Sequence, residues 1–436
     1  MPQIALAETL MESFLIEGGR PLNGRVRAAG NKNAALPILA ACLLTDQPVT
    51  LENVPRIGDV DTMLELMAGL GVDVEWTGAN EVQVHAADIH THELDEVLGR
   101  RIRTSILLAG PLLARCGRAT VPPPGGDVIG RRRIDTHIHA LSALGATVEP
   151  GRRFEMSADR LSGAFILLDE ASVTGTENTV MTAVTAPGET VVYNAACEPH
   201  VQDLCRFLIS LGARIEGIGS NRLHIEGVSR LDGGRYRIGP DHIEVASFVG
   251  LAAVTHGELV IDDVVPEDLV PIRGAFERLG VRMEIDGTSL RVPDGQELAV
   301  QDDLGGQVAK VEDGPWPAFP ADLTSIALIV ATQARGTILI FEKMFESRLF
   351  FVDKLVNMGA RIILCDPHRA VVSGPAQLYG QRMESPDIRA GWAMLVAALC
   401  AEGTSTIGNI AQIVRGYERI EERLRAVGAQ IEHAEV

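Results

Sequence analysis

An α/β protein assembled from six similar units in two domains is what this sequence predicts, and three observations predict it. A phrase of apolar residue, glycine, small or branched residue, any residue and aliphatic residue occurs six times. The copies are Leu70-Gly71-Val72-Asp73-Val74, Leu144-Gly145-Ala146-Thr147-Val148, Leu211-Gly212-Ala213-Arg214-Ile215, Leu279-Gly280-Val281-Arg282-Met283, Met358-Gly359-Ala360-Arg361-Ile362 and Val427-Gly428-Ala429-Gln430-Ile431. Their glycines stand 67 to 79 residues apart, too far for a solenoid repeat and too close for separate domains. At 436 residues the chain exceeds one ordinary core, so six units divide into two groups of three.

The segment before each glycine carries helical spacing: Val60, Met63, Leu64 and Met67 fall at i, i+3, i+4 and i+7, as do Val201, Leu204, Cys205 and Leu208. The glycine then takes the position just past the helix end, where a left-handed backbone needs no side chain. Alternation follows, as in Val72 to Trp76, so each helix leads by a tight turn into a half-buried strand. Glycine-led apolar runs at Gly257–Asp263, Gly336–Phe341 and Gly403–Asn409 supply a second kind of strand. Repeated elements of these kinds make sheets covered by helices.

The net charge of −19 argues against nucleic acid and anionic membrane surfaces as partners. Six cysteines (Cys42, Cys116, Cys197, Cys205, Cys365, Cys400) show no C-x-x-C pairing, which points to buried free thiols in a reducing compartment. The first twelve residues lack a basic region followed by an apolar core, and no apolar run reaches membrane-spanning length, so a soluble cytoplasmic protein is expected. His137 and His139, like His90 and His92, can be read as paired metal ligands on one strand face. Without Cys or Glu at metal spacing, solvated histidines are the preferred reading and no metal is expected. Neither a Walker phosphate loop nor a dinucleotide fingerprint is present.

Cations occupy positions that helices do not favour. Gly30-Asn31-Lys32-Asn33 runs into an apolar helix with Asn33 as the expected N-cap and Pro37 in the first turn. Lys32 then stands at the positive end of the helix dipole. Arg103 in Arg100-Arg101-Ile102-Arg103 and Arg389 in Asp387-Ile388-Arg389 repeat the arrangement. Each such cation costs about 0.3–1 kcal/mol against the macrodipole, yet with free backbone N–H groups it makes a phosphate or carboxylate site. A single one reads equally as a solvated charge; three together favour the anion site. Pro122 to Arg133 is a glycine- and proline-rich loop carrying Asp127, Arg131, Arg132 and Arg133, able to bring charge to an anion on closing. Asp127 reads as a loop-fixing salt bridge or as a proton donor. Further basic points are Arg348 and Arg415. Asp322 opens another helix, where it reads as an N-cap or as a functional carboxylate.

Taken together, Gly-Asn-Lys32-Asn33-Ala-Ala-Leu-Pro, Pro-Gly-Gly-Asp127-x-Ile-Gly-x-Arg132, Ala-Phe-Pro-Ala-Asp322, Phe-Glu-Ser-Arg348, Asp-Ile-Arg389-Ala and Arg415-Gly-Tyr-Glu-Arg resemble the UDP-N-acetylglucosamine enolpyruvyl transferases (1-carboxyvinyltransferases). The likeness runs in order from about Phe14 to the end. It implies the enolpyruvyl transferase fold: two inverse α/β domains built from six βαβαββ-type repeats. Residues 1–31 plus 240–436 would form one discontinuous domain. Residues 32–239 would form the other and carry the mobile loop 122–133. The cleft between them would close on the sugar nucleotide and then take up phosphoenolpyruvate.

The same resemblance implies transfer of an enolpyruvyl group to the sugar 3-hydroxyl with release of phosphate, needing no cofactor and no obligate protein partner. By it, Asp322 matches the carboxylate near the sugar hydroxyl. Asp127 matches the loop position where many members carry the Cys that donates a proton and that fosfomycin alkylates. Lys32, Arg132 and Arg415 match the residues holding phosphoenolpyruvate, and Arg348 and Arg389 add to the cationic field. Arg103 faces the substrate phosphates, Asn33 contacts the sugar or intermediate, Ser172 and Val173 bind the uridine diphosphate, and Met344 lines the sugar side. Departures are Asp127 for Cys, the Thr174-Gly175 order, His200 where an acid is usual, and Gln412-Ile413-Val414 before Arg415. They leave open another acceptor, 3-phosphoshikimate or a different nucleotide, and a non-catalytic UDP-sugar-binding paralogue.

Overall fold

The computed structural model describes residues 12–127, 129–130 and 132–435. The first eleven residues and Arg131 of the loop lie outside them. All six repeat glycines have positive φ, from 83° to 109°. Each ends its helix with the same pair of bonds: Gly71 N–H to Ala68 O and Val72 N–H to Met67 O in the first copy, Gly428 N–H to Arg425 O and Ala429 N–H to Leu424 O in the last. These are Schellman turns, which satisfy helix carbonyls that would otherwise face no donor. The strand that follows is in place after every one, from Asp73–Trp76 to Gln430–Glu435.

The described strands make six small sheets, and five share one plan. One strand, glycine-led in four of the five and following Pro48 in Val49–Glu52, pairs in parallel with one neighbour and antiparallel with a second, which pairs antiparallel with the post-glycine strand. Leu259–Asp262, for example, lies between Gly24–Arg27 (parallel) and Ser289–Val292 (antiparallel), with Glu284–Asp286 beyond. The sixth sheet has three strands, Arg118–Val121, Phe154–Ser157 and Thr147–Glu149. Its parallel partner is reduced to a single bridge, Glu93 to Thr120.

Two compact units emerge. A terminal unit takes the chain up to Arg27, Val245–Asp313 and everything from Ala321 on; a middle unit takes Ala28–Glu244 and Gly314–Pro320. Three sheets belong to each. The short return of 314–320 to the middle unit carries no sequence signal. In the middle unit the segments around Gly30 and Pro240 pair, with Asn31 N–H donating to Gly239 O (2.8 Å) and Asp241 N–H to Ala29 O (2.9 Å).

Within each unit some helices are buried on every side. Lys32–Ala41, packed between Gly58–Gly69 and Pro199–Ser210, has eight consecutive buried residues from Ala34. Ile388–Cys400, packed on Thr324–Gln333 in the terminal unit, is buried from Ile388 to Leu399. Such helices read as continuous apolar runs because water meets none of their faces.

The expectation of buried thiols holds for Cys42, Cys197 and Cys205, whereas Cys116 and Cys365 are exposed; all six are free. Cys116 ends its helix, where the side chain leaves the packed interface. His137 and His139 are on the helix Asp135–Ala143 rather than a strand, so they point to different faces. His137 is buried, not solvated. Among the described residues no helix is long and apolar enough to cross a membrane, and no three metal-ligating side chains gather.

Candidate active site

In the middle unit, Lys32 is the first residue of the helix Lys32–Ala41, and the N-cap is Asn31, not Asn33 as expected. Asn31 Oδ1 accepts from the backbone of Asn33 (2.9 Å) and Ala34 (3.3 Å). Either asparagine suits the task. Asn31 takes it because pairing with Gly239 holds its backbone extended. Its side-chain amide is turned to His242 Nδ1 (3.3 Å). Lys32 Nζ lies 2.7 Å from Asp59 Oδ2, both side chains about nine-tenths buried. Asp59 stands in the first turn of the helix Gly58–Gly69, where the macrodipole favours an acid.

A second cluster gathers at the loop. Arg103 begins a six-residue 3-10 segment, Arg103–Leu108, which runs into the helix Ala109–Cys116; the expected α-helix start is therefore displaced to Ala109. Its guanidinium donates to Arg133 O (2.9 Å). Gly126, at φ +91°, passes so close that a Cβ there would stand 2.9 Å from Arg103 Cβ. Burial first, then the neighbouring Arg132 guanidinium, pull the Arg103 pKa down to about 10, with Glu170 working the other way. Like charge beside like charge in a half-buried place is a receptor for an anion. Asp127 is half-buried on the same loop, and Arg133 pairs with Asp135 (3.0 Å).

Next along the chain, Ser172 caps the helix Val173–Ala183 by accepting from Gly175 N–H (3.1 Å). The helix is fixed from beneath. Asn178 Oδ1 accepts from Gly110 N–H (2.8 Å), so its amide nitrogen faces His137 Nδ1 (3.1 Å). That leaves His137 Nε2 to donate to Thr174 Oγ1 (3.0 Å). Burial, reinforced by Arg103, pushes the His137 pKa down to about 3, so the ring stays neutral in this tautomer.

The terminal unit holds the other acid. Asp322 sits in the 3-10 turn Ala321–Leu323, and its carboxylate does not cap the helix Thr324–Gln333 that follows. Instead Oδ1 accepts from Arg348 Nη2 (3.0 Å) and Oδ2 from Arg389 Nε (3.1 Å) and Nη2 (2.8 Å). The N-cap reading is corrected: two guanidiniums compete for the oxygens with charge-assisted bonds that a backbone N–H cannot match. Arg348 and Arg389 are almost wholly buried, whereas Asp322 keeps 28% of its side chain exposed. Arg389 also donates to Tyr417 Oη (2.7 Å), and its position follows from Asp387, which caps the helix Ile388–Cys400. Arg415 ends the short helix Ala411–Val414. Met344, over a third exposed, precedes Arg348 on the same segment.

The structure thus joins Asp322, Arg348 and Arg389 in one unit, and Arg103 with Arg132 in the other. Lys32 pairs with Asp59. Sequence reasoning missed Asp59, Tyr417 and the His137–Asn178 pair. Of these only Tyr417 carried a signal, as part of the Arg415-Gly-Tyr-Glu motif.

Residues 16–424 match the family model of EPSP synthase (3-phosphoshikimate 1-carboxyvinyltransferase). A UDP-N-acetylglucosamine 1-carboxyvinyltransferase of Bradyrhizobium diazoefficiens is 60% identical over 418 residues, 96% of this chain and 97% of that one. One of Treponema denticola is 55% identical, covering 97% and 99%. In structure the chain is similar to the enolpyruvyl transferase NikO of Streptomyces tendae, with TM-score 0.87 at 24% identity over 98% and 99% of the two chains. EPSP synthase of Acinetobacter baumannii gives TM-score 0.75 at 17% identity over 97% and 100%, and both likenesses bear on fold. With full-length identities of this size, the chain belongs to the UDP-N-acetylglucosamine 1-carboxyvinyltransferase family.

Proposed function

We propose that this chain transfers the enolpyruvyl group of phosphoenolpyruvate to the 3-hydroxyl of UDP-N-acetylglucosamine, releasing phosphate, as the committed step of peptidoglycan precursor synthesis. The observation that carries the reading is 60% identity along nearly the whole chain to a protein named for that reaction. The protein acts in the cytoplasm, a location its six free thiols suit.

The reaction adds the sugar oxygen to C2 of phosphoenolpyruvate while a proton reaches the methylene carbon. The tetrahedral ketal then loses phosphate and a proton to restore the double bond. Asp127 delivers the first proton from its loop. Asp322, held in place by Arg348 and Arg389, takes the proton of the 3-hydroxyl through its exposed side. Lys32, Arg132 and Arg415 hold the phosphoenolpyruvate. Arg348 and Arg389 extend the positive field toward the charge that develops. Arg103 meets the nucleotide phosphates, the first turn at Ser172 and Val173 offers them backbone N–H groups, and Asn33 and Met344 contact the sugar.

Phosphate release from phosphoenolpyruvate, measured with UDP-N-acetylglucosamine, with 3-phosphoshikimate and with neither, tests the reading. Release that depends on the sugar nucleotide is expected. Release only with 3-phosphoshikimate would assign a different acceptor, and tight UDP-sugar binding without turnover would make the chain a binding paralogue.

A further inference from the structure

Behind the Arg348–Asp322 pair, the terminal unit contains two acids that the reaction does not use. Ala309–Glu312 and Gly336–Phe341 are parallel neighbours in register Glu312 to Phe341. The next residues, Asp313 and Glu342, therefore leave the sheet side by side, 1% and 0% exposed.

Their carboxyls take hold of one turn of chain. Asp313 Oδ1 accepts from Lys343 N–H. Glu342 Oε1 accepts from Met344 N–H (3.2 Å) and Phe345 N–H (3.1 Å). Three successive amides are thereby fixed at the root of the segment that carries Met344 and Arg348. The second oxygens, Asp313 Oδ2 and Glu342 Oε2, are buried and complete no hydrogen bond of good geometry, yet the two carboxyls lie within hydrogen-bonding reach of each other, with the Thr324 hydroxyl beside Glu342. Two ionised carboxylates so placed would have no donor between them and would repel; one proton supplies the missing bond.

We propose that Asp313 and Glu342 share a single proton, and that this carboxyl–carboxylate bond is a positioning device that sets the 342–348 segment for the sugar nucleotide. The inference rests on the enolpyruvyl-transfer reading of the site. Burial, and then the bond and charge of Asp313, raise the Glu342 pKa to about 8, with Arg348 and the Thr324 hydroxyl opposing. Other charged groups around the pair are few. Asp322 lies beyond Arg348. Lys343 pairs outward with Glu312 (3.5 Å). His368 gives Nδ1 to Glu342 O (2.7 Å), and Asp366 and Arg369 pair with each other on that hairpin. Asp387 and Arg389 act on Arg348.

Loss of the shared proton in mild alkali releases the segment, so the KM for UDP-N-acetylglucosamine rises about tenfold from pH 7 to pH 9, as a fraction-competent equilibrium requires, with little change in kcat. Glu342→Gln, whose amide donates permanently to Asp313, flattens that rise and keeps the KM at pH 7 within about twofold. Asp313→Asn supplies the donor from the other side and serves if the first variant fails to fold. Infrared difference spectra of wild type minus Glu342→Gln give a readout independent of turnover. They should show a protonated carboxyl at pH 7 that titrates away above pH 8, with the buried acids Glu177 and Glu198 cancelling in the difference. No such band, or an alkaline KM rise equally steep in Glu342→Gln, overturns the proposal. Absent turnover in wild type with the band present would instead overturn the functional reading.

Discussion

The two units carry opposite kinds of charge arrangement. In the middle unit Arg103 has another guanidinium, Arg132, as its strongest charged neighbour, and its pKa falls. In the terminal unit Arg348, more deeply buried still, is surrounded by Asp322, Glu342 and Asp387, and its pKa rises despite burial. At Arg103 a like charge outweighs the acid opposite, Glu170; around Arg348 the acids outweigh burial. The contrast teaches that a cation's place in a motif does not fix its work. The first set is arranged to receive an anion from outside, and the second to hold a protein carboxylate steady. The two acids differ in the same sense: Asp322 is gripped by two guanidiniums, whereas Asp127 belongs to a loop.

The comparison can be broken at Asp127. Asp127→Asn keeps the loop's polarity but cannot deliver a proton, and turnover should fall about 10²- to 10⁴-fold with a normal melting profile. A fall below fivefold would reduce Asp127 to a loop-fixing ion pair. Wild-type protein should also survive stoichiometric fosfomycin, the alkylated thiol being absent from position 127; mass spectrometry finding an adduct on the loop peptide would contradict this.

The arginines separate next. Arg348→Ala strands a carboxylate beside buried Arg389 and should cost about 3 kcal/mol in urea unfolding, the low end for a broken buried pair because Asp322 still meets water. Arg103→Ala should leave stability within about 0.5 kcal/mol, since it removes a repulsion, while raising the KM for the sugar nucleotide about 10- to 100-fold. Equal stability losses would erase the distinction between the units. The smallest effect tests their shared architecture. A Cβ at Gly428 would meet nothing within 4 Å, and at Gly212 only Asp232 at 3.9 Å. Alanine at either should therefore cost only the left-handed backbone, about 1–2 kcal/mol in both units.

What the sequence revealed follows the range of the forces involved. Gly71 and its five counterparts were legible because a Schellman turn is local, as was the alternation behind each. Lys32 and Arg389 could be placed at helix starts from a few neighbours, although Asn31 and Asn33, two residues apart and equally able to cap, could not be told apart. Asp322 looked like a cap because its arginine partners are distant in sequence. The Lys32–Asp59 pair and the neutral His137 depend on helix packing, and the Asp313–Glu342 contact depends on strand register. None of these is written in any single window of the chain. The sequence of the 122–133 loop marks it as basic and able to move; its contacts with Arg103, through the close pass of Gly126 and the Arg133 carbonyl, depend on packing.

The most direct test of the account is the rate of sugar-nucleotide-dependent phosphate release in Asp322→Ala. The account predicts a loss of about 10²- to 10⁴-fold in a protein that still binds UDP-N-acetylglucosamine through the middle unit. A rate near that of wild type would show that the acid between Arg348 and Arg389 only anchors them, and would contradict its role in the chemistry.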